Sequence, residues 1–199
     1  MNKEIRCINV EMKALDNEEN KMIIEGYPIV FESPATHGFT EIIDRRALDS
    51  CDMSDVPLKY NHEDSHPIMA RTRNRSLELK KDEKGLYMRA ELLDTTTNID
   101  IYKSIKAGLL DKMSFAFSVK EDSYDYDTDT RRILAIEKLY DVSVVDMPFY
   151  DSTSLYARGL DNSNDFMERR KELREAKEAE IKKEEELKTA KEELLSKLG

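Results

Sequence analysis

Cysteine is nearly absent: Cys7 and Cys51 stand far apart, without the paired spacing of a zinc site or a redox motif. Both read as reduced thiols, and the acids flanking Cys51 in "LDSCDMSD" disfavour a thiolate nucleophile there. Long apolar runs are missing too. Nowhere do roughly 18 apolar residues follow one another, and "MNKEIRCINVEMKALDNEEN" has no apolar core, so neither a membrane span nor export is expected. The expected location is the cytoplasm. Basic surface is also scarce: the formal net charge is -10, and no basic patch with interleaved aromatics offsets it. This argues against a surface built to neutralise phosphates, so nucleic acid is not an expected partner.

What the chain does have is enough apolar residue, 39% of 199, for one domain with a core and an appendage. The charged fraction is 37%, much of it after Gly159. The expected division is 1–159 for the domain and 160–199 for a charged helical tail. Up to about Ala157 the dominant period is two, the pattern of strands with one buried face. "IRCINVEMKAL" and "KMIIEGYPIVFE" read this way, with Gly26 and Pro28 marking a bend or bulge. "SLELK" and "GLYMRAELL" flank the turn "KDEKG". "VPLKYNH" puts Val56, Leu58, Tyr60 and His62 on one side of a strand.

One segment breaks the alternation. "TTTNIDIYKSIKAGLL" has cap candidates, Ile101, Ile105 and Leu109 at helical spacing, and Gly108 near its end. After it, "KMSFAFSVKE" alternates again, with Met113, Phe115 and Phe117 opposed to Ser114, Ala116 and Ser118. "ILAIEKLYDVSVVDMP" closes the pattern, separating Val142 and Val144 from Asp141, Ser143 and Val145, with Pro148 as its stop. In the tail, Phe166, Leu173, Leu187 and Leu194 fall seven or fourteen apart, but Glu180 interrupts the seam.

The stretch "KYNHEDSHPIMAR" holds two of the three histidines. His62-x-Asp64-x-His66 is chemically able to bind zinc, yet Pro67 places it at a strand end, His37 has no ligand-like neighbour and the cysteines are unpaired. Metal is not expected. A hydrolytic reading needs a hydroxyl, a base to take its proton and a third group to fix the base. Ser114 sits beside small residues on the face opposite the phenylalanines, where its hydroxyl is expected to be reachable. Asp141 lies at the parity of Ser143, among valines. On these residues alone the bland alternatives stay open: a polar strand face, a surface histidine and an edge-strand charge.

The order of "IEGYPIVFE", "EIIDRRALD", "PLKYNHED", "DEKGLYMRAELLDT", "DIYKSIKAGLLDKMSFAF" and "LYDVSVVDMPFYDST" resembles the prohead protease family of tailed bacteriophages, related in fold to the herpesvirus maturation protease assemblin. The resemblance covers most of residues 20 to 158. It implies a mainly β (α+β) fold, an assemblin-like β-barrel flanked by helices, with the charged C-terminal helix appended. It implies a serine endopeptidase with His62, Ser114 and Asp141 as catalytic residues, Asp146 as fallback for Asp141, and His66 as a neighbour only. Substrates would be the major capsid protein or a scaffold and the protease itself, inside the immature prohead in the host cytoplasm. No cofactor is implied. Relatives dimerise through helices, so a homodimer is expected, and the loop after Pro148 is expected to help bind the oxyanion. The rival from another class is a non-enzymatic assembly scaffold, for which acidic composition and a helical tail would suffice.

Overall fold

Alternating sequence becomes strand wherever one face can be covered, and the computed structural model shows where the covers come from. It describes residues 3–8, 12–15, 21–36, 38–146 and 164–196. The chain divides into two units, Met1–Asn162 and Ser163–Gly199.

In the first unit the strands are β1 (Lys3–Ile8), β2 (Lys13–Leu15), β3 (Met22–Val30), β4 (Ala35–Thr36), β5 (Thr40–Ile43), β6 (Pro57–Tyr60), β7 (Ala70–Arg71), β8 (Leu77–Lys81), β9 (Gly85–Leu92), β10 (Lys112–Asp125) and β11 (Thr130–Val145). The architecture is mainly β, as expected, but the described strands close no barrel. They form two sheets: a seven-stranded one running β1-β10-β11-β5-β4, with β6 also on β11 and β7 on β6, and a four-stranded one running β2-β3-β9-β8. Alternation specifies which face of a strand is buried, not which edges meet.

Pairing is antiparallel except where β11 lies parallel to β5 and β6. The register of β3 on β9 slips between Gly26 and Ile29, the bulge that Gly26 and Pro28 announce. The β8–β9 turn is tied by Asp82, whose Oδ1 accepts from the backbone N–H of Lys84 at 2.8 Å and of Gly85 at 3.0 Å. One core fills the unit, with Ile24, Ile29, Leu58, Leu86, Met88, Met113, Phe115, Phe117, Val142 and Val144 fully buried. Burying each of these large side chains contributes roughly 1.5–3 kcal/mol.

Helix α1 (Thr96–Lys106) starts where Thr95 accepts a hydrogen bond from the Asn98 N–H, and buries Ile101 and Ile105. Leu109 does not join them: Gly108 turns left-handed at φ 72°, ending the helix, so Leu109 is left exposed and Leu110 enters the core instead. The second unit contains α2 (Asn164–Ser196). Among the described residues no helix is long and apolar enough to cross a membrane.

Candidate active site

Three adjacent strands and one turn bring the candidate residues together. On β10, Ser114 is flanked in register by Ser143 of β11 on one side and Cys7 of β1 on the other. Asp141 sits two residues before Ser143, opposite Ala116. β6 runs parallel to the same part of β11 and ends with Tyr60 opposite Val144. The Asn61 N–H then continues the contact by donating to the Val144 carbonyl at 2.9 Å.

At this point strand parity stops applying. Asn61 (φ 51°) and His62 (φ 58°) both adopt left-handed backbone, which non-glycine residues rarely do. His62 is therefore not the next residue on the Leu58 side of a strand. It is carried by a two-residue turn that swings its ring over β11 and β10, and such conformations cost free energy that surrounding contacts must offset. The Asn61 side chain supplies one, accepting from the Asp146 N–H at 3.1 Å.

The resulting geometry is a continuous relay. His62 Nε2 lies 2.6 Å from Ser114 Oγ, and His62 Nδ1 lies 2.5 Å from Asp141 Oδ1. Ser143 Oγ, fully buried, stands 3.1 Å from Asp141 Oδ1 and 3.2 Å from His62 Nδ1. The second carboxylate oxygen of Asp141 receives the Lys3 ammonium at 3.2 Å. Burial, the largest influence on Asp141, works against its charge. The hydrogen bond and charge of His62, joined by Lys3, outweigh it and hold the carboxyl below the usual carboxylate range. Chemically the set can pass a hydroxyl proton to an imidazole oriented by an ionised carboxylate.

Sequence reasoning misjudged one property of Ser114. The hydroxyl expected to be reachable is fully buried, and it donates to the Arg6 carbonyl at 2.8 Å. β1 lies along the edge of β10 that the alternation left open. Ser143 shares the parity of Asp141, a signal that could have placed it; Lys3 and Arg6 have no signal, because only the fold brings the first strand here.

The other candidates are directed elsewhere. His66 pairs through Nδ1 with Glu63 at 3.0 Å and packs edge-on against the Tyr60 ring. Asp146 is exposed, with the Tyr60 hydroxyl 3.4 Å from its Oδ2. The Cys51 thiol is pushed up to about 11 by burial first and Asp52 second. His37 and the segment after Pro148, with its expected oxyanion donors, lie outside the described residues.

No curated protein matches significantly. The solved structure of the bacteriophage T4 capsid assembly protease, gp21, aligns over 71% of this chain and 98% of its own, with 12% identity and a TM-score of 0.44. The family model described as caudovirus prohead serine protease matches residues 8–166. The chain belongs to the caudovirus prohead serine protease family.

Proposed function

We propose that the chain is a serine endopeptidase of capsid maturation in which Ser114 is the nucleophile, His62 the general base and acid, and Asp141 the group that orients His62. The observation that carries this is the pair of contacts made by one imidazole, Nε2 to Ser114 Oγ at 2.6 Å and Nδ1 to Asp141 Oδ1 at 2.5 Å. In the reaction, Ser114 Oγ bonds to the scissile carbonyl carbon as its proton moves to Nε2. The amine leaves with that proton, and water, deprotonated in turn by His62, releases the acyl group. Asp141 stays ionised and stabilises the imidazolium formed in each half.

The substrates proposed are the scaffolding region of the capsid protein or a separate scaffold, and the protease itself, within the immature prohead. Residues 1–159 are the protease domain in this reading. Residues 160–199 are a tether that concentrates the enzyme on assembling subunits and is shed by self-cleavage, and the working form is a homodimer. Tethering raises local concentration without any new contact at the active site.

The test is co-expression with the capsid precursor, wild type beside Ser114→Ala, read by intact mass. The peptidase reading expects cut precursor with the wild type and a loss of about six powers of ten in cleavage rate with the variant. Identical fragments from both would favour the assembly-scaffold rival.

A further inference from the structure

Substrate peptides commonly bind by adding a strand to an exposed sheet edge, where main-chain hydrogen bonds give affinity. Beside Ser114 that edge belongs to β10, and it is filled. β1 pairs along it with Lys3 opposite Ser118, Ile5 opposite Ala116 and Cys7 opposite Ser114. We infer that β1 is a resident inhibitory strand: residues 3–8 occupy the edge of β10 beside Ser114, hold its hydroxyl proton on the Arg6 carbonyl, and must leave before a substrate strand can be cut. This rests on the reading of Ser114 as nucleophile.

Two contacts make the strand more than a neighbour. A serine hydroxyl has one proton to donate and a carbonyl oxygen can only accept. With that proton on the Arg6 carbonyl at 2.8 Å, Nε2 of His62 faces oxygen lone pairs at 2.6 Å. While the hydroxyl donates to the Arg6 carbonyl it has no proton to give to Nε2, so the imidazole cannot act on it as a base. The second contact is Lys3 on Asp141 at 3.2 Å, which ties the orienting carboxylate to the same strand. Access is closed as well: an attacked carbonyl carbon must come within about 3–3.5 Å of Oγ, and Ser114 is fully buried.

β1 is not a loosely fraying end. Glu4 grips Arg131 through two hydrogen bonds of 2.7 and 2.9 Å, and Arg6 grips Glu41 through two of 2.5 and 2.9 Å. Opening is therefore a strand exchange, in which an incoming peptide recovers the ladder bonds that β1 gives up. The family match begins at residue 8, the last residue of β1, so nearly the whole strand precedes the matched segment.

The test locks and loosens the strand in the full chain. Directly opposed residues in an antiparallel pair have Cα atoms about 4.5–5.5 Å apart, within disulfide range. Ile5→Cys with Ala116→Cys, in a Cys7→Ser, Cys51→Ser background, can thus be oxidised to a lock and reduced again. Ile5→Pro removes a backbone donor from the ladder and loosens it. The readout is the rate at which a fluorophosphonate forms an Oγ–P bond at Ser114 with loss of fluoride, followed by intact mass. The inhibitory strand predicts labelling at least about tenfold slower when oxidised, recovery on reduction, and a rate about tenfold above wild type for Ile5→Pro. Equal rates in oxidised, reduced, proline and wild-type proteins, with labelling abolished by His62→Ala, would overturn the inhibitory role and leave the Ser114 reading standing. No labelling of Ser114 in any form would overturn both. If Ile5→Pro fails to fold, the redox pair decides alone, since oxidised and reduced forms share one sequence.

Discussion

Asp141 is buried among valines, where a carboxylate would ordinarily take up a proton, and it is kept ionised by His62 and Lys3. Its folded value is below the ordinary one of about 3.9, so it contributes stability that is complete above that pH and lost as pH falls through the depressed value. Asp141→Asn should therefore flatten the acid limb of a Tm-against-pH curve below about pH 4, and cut kcat/KM by about four powers of ten at neutral pH, because an amide neither fixes the imidazole tautomer nor stabilises its charge. Cys51 gives a contrasting case. With its thiol pushed up to about 11, iodoacetamide at pH 8 should alkylate it about a hundredfold or more slowly than free cysteine, followed by peptide mass. At this scale the shared strand faces of Ser114 and Asp141 and the acids beside Cys51 are legible in the sequence, but parity alone does not give Ser114 or Asp141 a role. The left-handed turn at Asn61 and His62 is not legible, because neither residue type demands it; contacts with Val144 and Asp146 impose it.

Between elements, a buried charge cluster joins β1, β5, β10 and β11. Arg131 is almost wholly buried, with Glu4 and Glu41 as partners and Asp122 2.7 Å from its Nε. Burial, the largest influence, opposes its charge, but the hydrogen bonds and charges of these carboxylates prevail and raise its affinity for the proton. Removing one member strands the rest, so Arg131→Met should cost about 3–5 kcal/mol, read as a lowered urea midpoint. The β3–β9 ladder makes a different demand. A Cβ on Gly85 would lie 2.0 Å from the Ile29 carbonyl oxygen, backbone that cannot step aside, so Gly85→Ala should destabilise by more than about 1 kcal/mol, against near neutrality for an ordinary surface change. The bulge at Gly26 and Pro28 could be read from sequence because both residues break a ladder by their own chemistry. Gly85 reads as a turn glycine; its close approach to Ile29 depends on a strand more than fifty residues away. The same limit explains why two sheets were not foreseen in place of a barrel.

Across the whole chain, the formal net charge is -10. Like charge opposes association unless a specific seam overcomes it. In α2, Leu173 and Leu187 are both substantially exposed and lie fourteen residues apart, with Glu180 at the heptad position between them. A charged residue in an apolar seam weakens pairing and keeps the helix available to other partners, as the proposed tether requires. Glu180→Leu should reverse this. Each buried leucine contributes roughly 1.5–3 kcal/mol, a dimer buries one from each chain, and about 1.4 kcal/mol is a factor of ten, so self-association should strengthen by at least about a hundredfold. Sedimentation equilibrium of the full chain measures it directly. An unchanged association constant would mean that α2 does not pair through this register, and the homodimer would then have to be sought on the protease domain.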